Sequence, residues 1–106
     1  MNLNNFYITT PIYYPSGNPH MGHAYSSILA DVFARFKRND NYNVHFLTGT
    51  DEHGLKIQKS AEKNNLDPLT HCNKISKIFS ELAKKLNLSN NDFIRTTENR
   101  HHKSVT

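Results

Sequence analysis

Two patterns of apolar and polar positions alternate along this chain. Short runs of β-branched and aromatic residues predict strands, and apolar residues spaced three and four positions apart predict helices. Prolines and a glycine exclude a helix from the loop at 11–19. In chain order the expected elements are a strand at 6–10, a helix at 21–38, a strand at 44–48, a helix at 55–64, a helix opened by Asp67 and Pro68, a strand at 92–96 and a helix at 98–105.

The two longer helices carry apolar stripes. In the first helix, the apolar positions that recur at helical spacing are Tyr25, Ile28, Leu29, Val32, Phe33 and Phe36. In the helix that Pro68 opens, the expected buried face consists of Leu69, Cys72, Ile75, Ile78, Phe79, Leu82 and Leu86. Both patterns are typical of helices that pack against a sheet.

The alternation of strands and helices in the order β-α-β-α-α-β, with a further helix at the end, predicts an α/β fold with a parallel sheet. This arrangement is a half-Rossmann unit, with right-handed crossovers between the strands. In such sheets, ligands bind beyond the carboxyl ends of the strands. The loops at 11–23 and 49–54 both follow strands, so we expect both of them to line one crevice at that edge.

Length and composition limit the possibilities without selecting a function. The chain has 106 residues, enough for one small domain, and a formal net charge of +4. That charge suits an anionic partner such as ATP or RNA, or it reflects lysine-rich helix faces. The single cysteine, Cys72, excludes a disulfide within the chain, and no apolar run reaches the roughly 18 residues of a membrane span. We expect a cytoplasmic protein without a membrane partner.

His20 and His23 are the first candidates for catalysis. They lie three residues apart where the loop enters a helix, and a helix N-terminus presents N–H groups and a positive dipole to phosphate. Imidazoles placed there suit the binding of a nucleotide triphosphate and the stabilisation of a departing pyrophosphate. Gly22 leaves room for close approach of the backbone or of an adenine ring. Two other interpretations use the same histidines. In one they only cap the helix, and in the other they bind zinc, for which no further ligands lie nearby in the sequence.

The second loop offers an acidic group. Asp51 lies between Gly49 and Gly54, and it is suited either to bind a cation such as an α-ammonium group or to close an Asx turn. His53 is placed to orient that carboxylate or to line the pocket. The first loop also contains apolar and aromatic residues, which either form a wall of the crevice or pack in the core. They are Pro11, Ile12, Tyr13 and Tyr14.

Several stretches together resemble the methionyl-tRNA synthetases, a family of class I aminoacyl-tRNA synthetases. PSGNPHMGHAYSSILADVFARF, at 15–36, is similar to their "HIGH" signature region, with HMGH at 20–23 as the motif itself. FYITTPIYY at 6–14 precedes it, FLTGTDEHG at 46–54 follows it, and the run at 92–97 also resembles that family. HxGH alone is shared with other nucleotidyltransferases, whereas its combination with TGTDEHG is specific.

The resemblance implies that methionine is activated by ATP, with Mg²⁺, to methionyl-adenylate and is then transferred to tRNA(Met). It implies that His20 and His23 are catalytic and bind ATP together with Tyr14 and Gly22. It implies a methionine-binding site that consists of Pro11, Ile12, Tyr14, Asp51 and His53. No metal ligand, and in particular no zinc ligand, is expected in this segment.

Members of that family are several times longer than this chain. The resemblance implies that residues 1–106 are the N-terminal half of the catalytic Rossmann domain, without the connective insertion, the second half-sheet, the KMSKS loop and the anticodon-binding domain. In a sheet of order 3-2-1 the first strand is then an open edge. We expect the isolated chain to be unstable or inactive and to need the missing half or a partner chain. The alternatives are a small stand-alone HxGH nucleotidyltransferase and a non-catalytic piece that binds ATP or methionine.

Overall fold

The computed structural model describes residues 3–106, which form three strands and four helices. The elements are β1 (Asn5–Thr9), α1 (Met21–Asn39), β2 (Asn43–Thr50), α2 (Leu55–Lys63), α3 (Pro68–Lys85), β3 (Asp92–Arg95) and α4 (Asn99–Val105). The expected order of elements is confirmed. Asp67 caps α3, because its carboxylate accepts the N–H of Thr70 at 3.1 Å, and Pro68 lies in the first turn, where its missing N–H costs nothing.

All three strands are parallel, and their order across the sheet is β1-β2-β3. The register pairs Phe6 with Val44 and Thr48 with Phe93. The α/β class and the parallel half-sheet of Rossmann type are therefore confirmed. β1 is an edge strand, since its outer side pairs with none of the described residues. The loops that follow β1 and β2 leave the sheet at the same edge.

β2 is longer than the sequence predicts, and the difference moves two residues out of the second loop. Gly49 and Thr50 belong to the strand and pair with Ile94 and Arg95 of β3. A Cβ on Gly49 would lie 1.9 Å from the backbone oxygen of Ile94, so this strand position requires glycine. β1 begins and ends one residue earlier than expected, and β3 ends one residue earlier.

α1 and α3 pack on the same face of the sheet. One apolar cluster joins α1 to β2 through Ala30, Ala34, Val44 and Phe46. A second cluster, near the carboxyl end of β2, joins the first loop to α3 through Tyr13, Ile75 and Phe79. Thr50 shares the face of Phe46 because side chains alternate along a strand, and its Oγ1 lies 2.9 Å from Oγ of Ser76 on α3.

The apolar stripes of α1 and α3 differ greatly in burial. On α3, Cys72, Ile75 and Phe79 are buried as expected, whereas Leu69 is 54% exposed and does not belong to the buried face. The rest of the expected face is half-buried and consists of Ile78, Leu82 and Leu86. On α1, the buried residues are small or polar: Ser27, Ala30, Asp31 and Ala34. The residues of the expected apolar stripe of α1 are 44% to 70% exposed, and they are Tyr25, Ile28, Leu29, Val32, Phe33 and Phe36.

Candidate active site at the carboxyl ends of the strands

The first corner of the site is the turn into α1, at residues 20–23. His20 is the N-cap of α1, and its Nδ1 accepts a hydrogen bond from the N–H of Gly22 at 3.0 Å. Nδ1 of His23 accepts the N–H of His20, also at 3.0 Å, and the two ring centroids lie 4.1 Å apart. Capping therefore does occur here, but it engages only the Nδ1 atoms of the two rings.

These hydrogen bonds determine the tautomer of both rings. A backbone N–H only donates, so each Nδ1 is the unprotonated acceptor, and a neutral ring then carries its proton on Nε2. Burial lowers the pKa of His23, and the charge of the neighbouring His20 lowers it further. At neutral pH, His23 is thus a neutral ring with an Nε2–H donor. Such a donor suits an anionic ligand at a helix N-terminus.

Gly22 is required by the cap itself. A Cβ at this position would lie 2.8 Å from Cε1 and 3.1 Å from Nδ1 of His20. The imidazole would have to move, which would disturb its hydrogen bond to the N–H of Gly22. The structure thus gives this glycine a role within the chain, in addition to the close approach of a ligand that the sequence predicts.

Tyr13 joins the first corner to the second. Its buried ring lies 4.9 Å from the ring of His23, and its hydroxyl lies 2.8 Å from Oγ of Ser27. Its backbone runs beside the end of β2, where its N–H donates to the carbonyl of Gly49 at 3.2 Å and its carbonyl accepts the N–H of Asp51 at 2.8 Å. Of the residues expected to form an apolar wall, Tyr13 therefore belongs to the core, and it fixes one corner against the other.

The second corner is the turn after β2, at residues 51–53. Asp51 is half-buried, and its Oδ1 accepts the N–H of His53 at 3.2 Å, which is the contact of an Asx turn. His53 is exposed, and its Nε2 donates to the carbonyl of Thr96 at 3.3 Å, so the proton of the neutral ring is on Nε2. Glu52, between them, is buried. The sequence does not predict a role for Glu52, because the spacing of residues does not reveal that a charged side chain is buried.

A cleft of about 320 Å³ opens beside the first corner. Predicted site residues that line it are Ile12, Tyr14, His20 and His23. Predicted site residues that lie outside its lining are Pro11, Gly22, Asp51 and His53. Lys56, from the first turn of α2, also lines the cleft, and sequence reasoning missed it. Its only sequence signal is its position two residues after the second loop.

Cys72 is packed beneath the second corner, with its Sγ 3.9 Å from the carbonyl oxygen of Glu52. Burial raises the pKa of this thiol to about 11, so Cys72 is a protonated core side chain and not a nucleophile. Within residues 3–106, no group of three or more His, Cys, Asp or Glu side chains is placed to hold a metal ion. No helix in the same range is long and apolar enough to cross a membrane.

Curated relatives match nearly all of this chain. It is 59% identical over 97 residues to methionine–tRNA ligase 1 of Bacillus cereus, an alignment that covers 92% of this chain and 15% of that protein. It is 56% identical over 102 residues to methionine–tRNA ligase of Rickettsia prowazekii, which covers 96% of this chain and 20% of that protein. The chain thus spans about a sixth to a fifth of the length of these relatives.

A solved structure has the same fold. Methionyl-tRNA synthetase of Mycobacterium tuberculosis in complex with methionyl-adenylate superimposes with a TM-score of 0.93 at 46% identity, covering 95% of this chain and 20% of that one. The parallel sheet of this chain, whose carboxyl edge carries the histidine pair, therefore has the fold of a synthetase that activates an amino acid for tRNA. The family model described as tRNA synthetases class I (M) matches residues 6–106, and the chain belongs to that family.

Proposed function

We propose that this chain forms the first half of the catalytic domain of a methionine–tRNA ligase. The observation that carries the proposal is the reciprocal capping of His20 and His23, which leaves two Nε2–H donors, together with Tyr13, which contacts the ring of His23 and is hydrogen-bonded to Asp51. In the reaction, a carboxylate oxygen of methionine attacks the α-phosphorus of ATP and forms an O–P bond. Pyrophosphate leaves with the electron pair of the broken P–O bond. A hydroxyl at the 3′ end of tRNA(Met) then attacks the carbonyl carbon of methionyl-adenylate, an ester bond forms, and AMP leaves as the anhydride bond breaks.

In this proposal the first corner binds ATP. The Nε2–H groups of His20 and His23 donate to phosphate oxygens, and these hydrogen bonds strengthen as negative charge builds up on the leaving pyrophosphate. Tyr14 and Gly22 lie along the approach of the nucleotide, and Lys56 adds a cation from the wall of the cleft. We propose no protein ligands for Mg²⁺; when it accompanies ATP, the ion would be held by phosphate oxygens, which it prefers, and would supply neutralisation of part of their charge.

The second corner binds the amino acid. Asp51 uses Oδ1 for its turn, and its second carboxylate oxygen is suited to accept the α-ammonium group of methionine. The thioether side chain contacts Pro11, Ile12 and Tyr14. Ile12 and Tyr14 are 42% and 51% exposed, so their apolar surface is accessible to a ligand. His53 lies beside Asp51 and completes this part of the site.

We also propose that further polypeptide, in the same chain or in a partner chain, completes the domain. The large residues of the α1 stripe are exposed, and the outer side of β1 pairs with none of the residues described, so both surfaces suit a second half-sheet. The added polypeptide supplies the connective insertion, the KMSKS loop and the anticodon-binding domain that recognises tRNA. The reaction takes place in the cytoplasm.

Methionine-dependent exchange of pyrophosphate into ATP tests this function. We expect the natural polypeptide that contains this chain to exchange labelled pyrophosphate only when methionine is present, and the isolated chain of 106 residues to be inactive. Exchange that does not require methionine indicates a different HxGH nucleotidyltransferase. Binding of ATP or methionine without any exchange indicates a binding piece. Either result contradicts the proposal.

Asparagine substitutions separate catalysis by the histidines from helix capping. His20→Asn and His23→Asn each keep an acceptor at the position of Nδ1 but remove the Nε2–H donor. We expect each variant to fold and to lose about 100-fold or more of the exchange rate, as for other donors to a developing anion. Normal exchange rates in both folded variants would show that the rings serve only as caps.

A further inference from the structure

Glu52 is the buried centre of the second corner. It lies between Asp51 and His53, and no part of its side chain is exposed to solvent. Burying an ionised carboxylate away from water costs free energy unless hydrogen-bond donors of the protein replace the water. The contacts of this one side chain therefore determine whether the turn is stable in the geometry that the structure shows.

Donors from three separate parts of the fold surround the Glu52 carboxylate. Nε of Arg95 on β3 lies 2.8 Å from Oε2, and the Thr50 hydroxyl at the end of β2 lies 3.2 Å from the same atom. Two further hydroxyl groups donate to it, from Ser76 on α3 and from Thr97 after β3. The carboxylate therefore ties together the ends of β2 and β3 and the middle of α3.

These contacts keep the carboxylate ionised. Burial raises the pKa of Glu52, but the hydrogen bonds from Arg95, Ser76 and Thr97 outweigh burial and hold the pKa below its ordinary value. At neutral pH, the group is an anion that accepts all of its hydrogen bonds. An uncharged amide of the same size accepts fewer of them, because one of its two heads is a donor.

The backbone of Glu52 is also hydrogen-bonded to the segment that follows β3. Its N–H donates to Oγ1 of Thr96 at 2.8 Å, and the carbonyl of Thr96 accepts from the ring of His53 at 3.3 Å. Because Glu52 points inward, Asp51 and His53 on either side are left half-buried and exposed. The direction of the Asp51 carboxylate thus depends on an anchor one residue away.

We propose that Glu52 is a positioning residue for the amino-acid half of the site, and that its anchored side chain aims Asp51 at the α-ammonium group of the substrate. This inference rests on the proposed function for the ammonium contact of Asp51. The anchoring itself rests only on the contacts of Glu52. In the proposed function ATP binds at the first corner, so loss of the Glu52 anchor should weaken the binding of methionine more than the binding of ATP.

Glu52→Gln in the natural polypeptide tests the proposal. We expect the KM for methionine to rise about tenfold while the KM for ATP changes by less than about twofold. Hydrogen exchange of the backbone at 50–54 should become faster. Ser76→Ala, which removes one of the four donors, should shift the methionine KM in the same direction by a smaller factor and keeps the test valid if Glu52→Gln folds poorly.

Asp31→Asn is the matched control. Asp31 is another buried carboxylate, and it accepts hydrogen bonds from Arg35 and from the backbone of Ser89, each at 2.8 Å, away from the site. We expect it to lower stability without changing either KM. Equal changes of both KM values in Glu52→Gln, or unchanged values, would overturn the positioning role.

The two readouts separate this proposal from the proposed function. A wild-type protein without methionine-dependent exchange would refute the proposed function and, with it, the ammonium contact. Hydrogen exchange would still decide about the anchor: faster exchange at 50–54 in Glu52→Gln supports it, and unchanged exchange there overturns it.

Discussion

The two corners of the site lie at the same edge of the sheet but are held in different ways. At the first corner, the hydrogen bonds join residues two and three positions apart, from His20 to Gly22 and to His23. At the second corner, Arg95 reaches Glu52 across 43 positions of sequence, and Ser76 reaches it across 24. A local corner can be read from the sequence, whereas a corner held by distant residues is visible only in the folded chain.

Loss of the distant ion pair should have the largest effect. Arg95→Met leaves the buried Glu52 carboxylate without its cation, which we expect to lower the free energy of unfolding by about 3 kcal/mol. Arg35→Met is a matched control, because Arg35 also pairs with a buried carboxylate but its side chain is 49% exposed. This control should lose less than about 1 kcal/mol. Urea denaturation measures both losses, and equal values would contradict the special role of the second corner.

Lys56 tests whether the wall of the cleft belongs to the first corner, which binds ATP, or to the second, which binds the amino acid. It follows the second corner in sequence but lines the cleft of the first. Under the proposed function, Lys56→Met should raise the KM for ATP about tenfold and leave the KM for methionine unchanged, because a charge next to phosphate is lost. Lys59→Met is the control, because Lys59 is also exposed on the same helix but does not line the cleft. An effect on methionine instead would assign Lys56 to the second corner.

Gly22→Ala tests the local corner. We expect the added Cβ to displace the ring of His20 from the cap. Loss of an N-cap lowers the free energy of unfolding by about 1 kcal/mol, and the higher helix propensity of alanine offsets part of that loss. Gly17→Ala in the same loop is the control, since a Cβ there meets nothing within 4 Å. Imidazole ¹⁵N shifts report whether Nδ1 of His20 is still an acceptor. An unchanged His20 ring in Gly22→Ala would show that the cap tolerates a side chain.

The smallest effect concerns pH at the first corner. The pKa of His23 is lowered from its ordinary value of 6.5 by burial and by the nearby charge of His20, so folding favours the neutral ring. The contribution of the neutral ring to stability is complete above pH 6.5 and is lost as the pH falls from there toward the lower pKa of the folded state. His23→Asn does not titrate, so its urea midpoint should fall less across that range. A urea midpoint of the wild-type protein that rises as the pH falls would contradict this prediction.

The sequence predicts the fold and the first corner well, because both depend on short-range patterns. Helical spacing predicts α1 and α3, and the alternation of strands and helices predicts the parallel sheet. The motif at 20–23 places both histidines at a helix start, where the structure finds them. The predicted end of β2 was wrong. The sequence pattern assigns Gly49 and Thr50 to the loop, and only their pairing with β3 shows that they belong to the strand.

Burial could not be predicted where it depends on distant partners. Helical spacing is equally clear in the stripes of α1 and α3, yet Phe79 is buried while Phe33 and Phe36 are more than half exposed. A pattern indicates which residues share a face, but it does not show what covers that face. Glu52 is the opposite case, since a residue type that is usually exposed is buried among donors from three elements.

The claim that both corners serve one ligand is tested most directly by hydrogen exchange of the natural polypeptide with a non-hydrolysable analogue of methionyl-adenylate. We expect slower exchange at 20–24 and at 50–54 over the same range of analogue concentrations, and unchanged exchange at 86–91, away from the site. Protection of only one corner, or protection of neither while the analogue binds, would contradict the claim.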